Sequence, residues 1–250
     1  MISSDQLNDC LLGAANRFPD KCDADPDGAR RINVEASKHL AQATSQHSTL
    51  LIYISTDYVF PGKAGDAPYE ADADPKPTNL YGQTKFDGER AILEATKNTG
   101  LGVVLRVPVL YGKAGEPKES AVNVLMDAVW KAQEKEAKIK MDHWAQRYPT
   151  NTADVGRVCM DVATKYLEDR SGLDNLPKTL QFSSEDRYTK YEICELFAEI
   201  MGLPLQGMTA DTAGGSATSS VQRPYDTHLS TQALKNIGIN VHTQNFEAWW

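Results

Sequence analysis

Two short apolar runs constrain this chain more than any other feature: residues 50–54 (LLIYI) and 103–107 (VVLRV). Each is too short for a helix, rich in branched or aromatic residues, and apolar at successive rather than alternate positions. Strands buried on both faces read this way, and such strands belong to parallel sheets covered by helices on either side. The segments around them fit that reading. Asp25 and Pro26 open a helical stretch with Ile32, Val34, Ala36, Leu40 and Ala43 along it, and a second helix is expected over residues 79–97. A Pro-, Gly- and Asp-rich loop over 61–79 leads into that second helix. Further helices are expected over 120–137 and 152–167, and a short strand over 179–182. Thr189 and Glu192 form a capping box for a helix ended by Gly202 and Pro204. Ser230 is expected to cap a short helix ending at Gly238. Residues 211–220 (DTAGGSATSS) read as a flexible loop by composition. The alternation of strand and helix predicts an α/β fold, a doubly wound parallel sheet.

Composition narrows the function. The 250 residues carry 26 Lys+Arg against 34 Asp+Glu, a formal charge of −8, with no basic cluster. Nucleic acid is therefore not an expected partner, because affinity for its backbone begins with neutralising phosphates. No run approaches the ~20 apolar residues of a membrane span, and the first 20 residues lack the pattern of a signal peptide. No membrane association and a cytoplasmic location are expected. Cys10, Cys22, Cys159 and Cys194 are widely spaced, which predicts reduced thiols and no metal site.

The chemistry-bearing constellation is Ser55-Thr56-Asp57-Tyr58-Val59-Phe60 at a strand's end, followed by Tyr81-Gly82-Gln83-Thr84-Lys85 in the first turns of a helix. Residues i and i+4 share a helix face, so the Tyr81 hydroxyl and the Lys85 ammonium can meet in one cleft. A fixed cation stabilises a phenolate and makes the phenol a better proton donor. Thr56, at the carboxyl end of a strand, can hold a carbonyl through its hydroxyl. With ten tyrosines, a Tyr-x-x-x-Lys spacing arises by chance in about one chain in two. The buried strand ending in a hydroxyl residue is what gives the pair weight.

STDYVF, PTNLYGQTK and LRVPVLYG together resemble the extended short-chain dehydrogenase/reductase superfamily, in its dTDP-4-dehydrorhamnose reductase-like (RmlD-like) branch. MDHWAQRYPT (141–150), ESAV (119–122) and TKYE (189–192) are similar to the regulatory beta subunits of methionine adenosyltransferase within that branch. The resemblance implies a Rossmann-like domain over 1–112 and 150–172 and a small substrate-type lobe over 113–149 and 173–250. It implies Thr56, Tyr81 and Lys85 as catalytic residues. Gly13, Arg17, Tyr81, Lys85, Pro108 and Leu110 would contact NADP, and Tyr58, His143 and Arg223 would lie on the substrate side. Asn33 would be structural.

Three departures accompany it. None of the 17 glycines forms a dinucleotide-binding turn after a strand, so the N-terminal Gly-rich βαβ unit is expected to be missing and NADP binding to be weak or absent. The beta subunits are expected to extend past Trp249-Trp250, a pair that reads either as a partner anchor or as the stub of an amphipathic helix. Thr56 stands where that branch tends to have serine, a difference that changes little because either hydroxyl can hydrogen-bond a carbonyl. The implied function is a regulatory beta-type subunit that partners the methionine adenosyltransferase catalytic subunit, modulates S-adenosylmethionine synthesis and retains a vestigial reductase site. The alternatives are an NADP-dependent reductase of a dTDP-4-dehydrorhamnose-like carbonyl substrate, or acid/base chemistry in the Thr56–Tyr81 cleft without a cofactor. An exposed sheet edge would favour a homo-oligomer.

Overall fold

A computed structural model describes residues 9–168, 170–214 and 222–250 of the chain. Residues 215–220 of the expected flexible loop lie outside the described residues. The main sheet contains β1 (Asp9–Leu12), β2 (Leu50–Thr56), β3 (Gly102–Val107) and, at its far side, a short strand at Thr179–Gln181, all parallel. Two small parallel pairs lie outside it. Strand β4 (Leu110–Tyr111) pairs with β6 (Thr150–Asn151), and β5 (Ile139–Asp142) pairs with β8 (Met208–Asp211), so the strand at Thr179–Gln181 is β7.

Strand β2 shows why the apolar runs had to be strands. Its side chains alternate between faces. Leu50 and Ile52 pack with Val155, Val158 and Val162 of one helix, Thr152–Glu168. Leu51 and Tyr53 pack on the opposite face with Ala41 and Ile92, which come from two other helices, Ser37–Gln46 and Leu80–Ala95. Every residue of the run is consequently apolar. Numbered along the chain, the helices are α1 (Pro19–Ala24), α2 (Pro26–Arg30), α3 (Ser37–Gln46), α4 (Leu80–Ala95), α5 (Leu125–Lys131), α6 (Thr152–Glu168), α7 (Lys190–Met201), α8 (Gln232–Asn236) and α9 (Phe246–Trp249). A π-helical turn, Arg31–Ala36, joins α2 to α3.

Several expectations need adjusting. The helix expected over 120–137 is confined to α5, and it starts late because the Ser120 hydroxyl accepts the amides of Val122 and Asn123 and holds an irregular turn ahead of it. β7 was expected in the small lobe but pairs with Val104–Arg106 of the main sheet. Leu234 and Ile239 likewise pack into the main core. The lobe's own core gathers Tyr111, Val122, Leu125 and Val129 with Ile193, Phe197, Met208 and Phe246. Trp249 and Trp250 pack here, Trp250 lying 4.7 Å from the Phe197 ring and Trp249 5.2 Å from Tyr111. They are parts of the lobe's aromatic cluster. Among the described residues β1 pairs on one side only, with β2, and no helix is long and apolar enough to cross a membrane.

Candidate active site

The carboxyl ends of β1, β2 and β3 open into one cavity of about 450 Å³, the place where open α/β sheets receive ligands. Gly13 follows β1, Thr56 ends β2, and Pro108 follows β3. Tyr81 and Lys85 reach it from the first turns of α4, whose N-cap Asn79 accepts the Gly82 amide at 2.9 Å. Gly82 is required there because a Cβ would meet the Tyr58 carbonyl oxygen at 2.1 Å. That close approach seats the helix start against the loop after β2. Gly88 does the same one turn and a half later, where a Cβ would meet the Asn33 carbonyl and the Tyr53 hydroxyl, both at 2.5 Å.

The cavity brings together nine of the ten residues singled out from sequence: Gly13, Arg17, Thr56, Tyr58, Tyr81, Lys85, Pro108, Leu110 and Arg223. His143 lies apart from that lining, hydrogen-bonded through Nδ1 to the Thr189 hydroxyl at 2.8 Å and 5.2 Å from the Tyr191 ring. Asn33 is fully buried, accepts the Asn16 amide at 2.8 Å, and donates to the Asn16 carbonyl and to Thr84 Oγ1 on α4. It ties the loop after β1 to the helix that carries Tyr81.

The electrostatics differ from the simple Tyr–Lys scheme. Lys85 is buried, donates from Nζ to the Ile54 carbonyl at 2.8 Å, and sits 3.8 Å from the centroid of the Tyr53 ring. Burial pulls its pKa down to about 7, against the opposing pull of Glu89. Burial of the Tyr81 hydroxyl pushes its pKa far above the ordinary phenol value, opposed by a hydrogen bond with Thr56 and reinforced by Asp57. A lysine that sheds its proton before the phenol ionises cannot offset the phenolate charge. Thr56 itself donates to Asp57 Oδ1 at 3.0 Å and accepts the Tyr58 amide. The buried Asp57 also accepts from Thr227 at 2.6 Å, and desolvation raises its pKa.

Beneath the cavity lies a satisfied ionic network. Arg106, next to the last residue of β3, donates to both carboxylate oxygens of Glu89 at 3.0 and 2.8 Å. Ser55 donates to the same carboxylate at 2.5 Å, and Gln181 of β7 accepts from Arg106 at 3.3 Å. Sequence reasoning missed four ionisable cavity residues: Asp20, Asp57, Arg147 and Lys190. Lys190 follows a legible N-cap, but only the fold shows that its side chain faces a cleft.

A helix-covered parallel sheet with a hydroxyl residue at one strand end and a Tyr-x-x-x-Lys pair over its carboxyl edge defines a Rossmann-like protein of the dehydrogenase/reductase class. The chain belongs to the RmlD substrate binding domain family, whose model matches residues 7–248. It is 40% identical over 230 residues to methionine adenosyltransferase 2 subunit beta of Pongo abelii, covering 92% of this chain and 65% of that protein. The subunit beta of Danio rerio is 38% identical over 250 residues, with 99% of this chain and 72% of that protein covered. The chain thus spans about two thirds of the length of these relatives. Among solved structures, a dTDP-4-dehydrorhamnose reductase from Bacillus anthracis, in complex with NADP, superimposes with a TM-score of 0.79. At 21% identity, covering 96% of this chain and 78% of that one, it supports the fold.

Proposed function

We propose that this chain acts as a regulatory, beta-type subunit of methionine adenosyltransferase, associating with a catalytic subunit and modulating S-adenosylmethionine synthesis. The observation that carries the reading is the 38% identity with a subunit beta along essentially the whole chain. The cleft agrees with it. Near pH 7 a lysine with a pKa of about 7 is neutral in about half of the molecules, and the phenol beside it holds its proton tightly. Such a pair is poorly set for proton donation, which suits a retained but idle site.

The test is to mix the full chain with a purified methionine adenosyltransferase catalytic subunit and follow both co-elution and kinetics. Comigration with a changed rate or KM for S-adenosylmethionine formation is expected. Separate elution and unaltered kinetics would defeat the reading.

The convergence of Thr56, Tyr81 and Lys85 in one cavity favours a second reading, an NADP-dependent carbonyl reductase. The cleft fits the nicotinamide half of the cofactor. Tyr81 and Lys85 would hold its ribose, Pro108 and Leu110 would flank the ring, and the surface at Gly13 is open, a Cβ there meeting nothing within 4 Å. For the phosphates this part of the cleft offers Arg17, whose Nη2 already donates to the Glu119 carbonyl at 2.7 Å. Bound NADPH would supply a hydride. The protein's part would be to hold the carbonyl on Thr56 and deliver the Tyr81 proton. NADPH oxidation that vanishes in Tyr81→Phe is the signature of this reading.

A further inference from the structure

We propose that Lys85 is a covalent capture site for small apolar aldehydes, its amine condensing with the carbonyl inside the cleft to form an imine. The fold places the amine for this. Helix α4 carries it one turn beyond Tyr81, and β2 supplies both the Ile54 carbonyl that accepts from Nζ at 2.8 Å and the Tyr53 ring, whose centroid is 3.8 Å away. The residue is 2% exposed and lines the cavity. An amine closed to bulk water and open to the cavity meets only what the cavity admits.

What the amine lacks is a carboxylate of its own. Glu89, one turn further along α4, accepts from Ser55 and from two nitrogens of Arg106, so its charge is committed to the guanidinium. Lys85 makes no ion pair among the described residues. The Tyr53 phenol on β2 and the Tyr81 phenol on α4 are held protonated by burial and stay neutral. Asp57, just past β2, is biased toward its neutral form by desolvation and is hydrogen-bonded to Thr56 and Thr227. A desolvated amine without a counter-charge keeps its lone pair near neutral pH, and burial brings this one to a pKa of about 7. About half of such amines are free base at pH 7, against roughly one in 10³ for an exposed lysine.

The condensation needs no oxidant or reductant. The Lys85 lone pair forms the C–N bond, the carbonyl π pair moves onto oxygen, and that oxygen leaves as water with the two hydrogens the amine gives up. Thr56 and Tyr81 bring hydroxyls to the same cavity, donors for the oxygen as negative charge gathers on it. Ile54, Val107, Val109, Leu110 and Leu125 wall the space, which selects an aldehyde with a branched aliphatic or aromatic body. The inference depends neither on association with a catalytic subunit nor on hydride transfer.

Reductive trapping tests it. The full chain is exposed briefly to benzaldehyde and cyanoborohydride between about pH 6 and pH 9, which fixes the imine as a benzyl amine, and peptide mass spectrometry reads the label at each lysine. At pH 7, Lys85 is expected to be labelled at least tenfold faster than Lys97, which is 70% exposed. Its rate should level off above pH 7 while that of Lys97 keeps climbing. In urea that unfolds the chain the preference should vanish. Lys85→Arg, shown to be folded by its melting curve, should lose the fast labelling and leave that of Lys97 unchanged. Equal rates at Lys85 and Lys97, fast labelling of Lys190 in place of Lys85, or a preference that survives unfolding overturns the proposal.

Discussion

Two cationic centres lie within this molecule, and they are built on opposite plans. Under the sheet, Arg106 is enclosed by Glu89, Ser55 and Gln181, and its charge is matched by a two-point ion pair. At the far end of the cleft, Arg147 and Lys190 face each other with one carboxylate near, and that carboxylate is held by backbone amides. A matched pair is complete and serves the fold. The second centre is looser, the nearest carboxylate oxygen of Asp142 stopping 3.8 Å from the Arg147 guanidinium.

The largest effect should come from breaking the matched centre. Glu89→Leu strands the Arg106 guanidinium in the core and is expected to cost ~3–5 kcal/mol, read as a lower midpoint in urea. Next is the contact that seats α4. Gly88→Ala forces a methyl against the Asn33 carbonyl and Tyr53 hydroxyl and should cost ~1–3 kcal/mol. Undiminished stability in either variant would show that the packing described around Lys85 is wrong.

Lys85 sharpens the comparison through pH. Its folded pKa of about 7 lies below the unfolded 10.5, so between these values the unfolded chain binds more protons. Stability contributed by this residue is therefore lowest below pH 7 and rises toward pH 10.5, by at most ~1.4 kcal/mol per unit. Lys85→Met should flatten that rise in a series of denaturation curves. The smallest effect belongs to the looser centre. Lys190→Met should alter stability by less than ~1 kcal/mol, in the stabilising direction at pH 7, because it removes repulsion instead of a partner. A large loss in that variant would mean that Lys190 is a structural ion-pair member after all.

The parts of this molecule that were legible in sequence are those governed by local rules. Residues 50–54 had to be a doubly buried strand because successive positions were apolar, and the Thr189–Glu192 box announced α7 because capping chemistry is local. The Tyr81–Lys85 spacing gave a shared helix face, and the cavity contains both. What escaped depends on distant partners. The start of α5 was set by Ser120, whose hydroxyl is anchored on the Leu110 carbonyl and turns the chain beforehand. The place of Thr179–Gln181 was set by pairing with β3, 75 positions away in register at Arg106 and Gln181. The charge state of Lys85 follows from burial against Tyr53 and the Ile54 carbonyl, which no spacing encodes. The cation cluster could not be read from sequence either, since Arg147, Lys190 and Arg223 lie 43 and 33 positions apart along the chain.

The most direct test of the regulatory reading separates it from hydride chemistry in a single preparation. S-adenosylmethionine formation by a methionine adenosyltransferase catalytic subunit is measured alone, with the full chain, and with its Tyr81→Phe variant. The account predicts that the wild-type chain and the variant shift the kinetics equally, because modulation does not use the phenol. Kinetics that neither chain alters would contradict it.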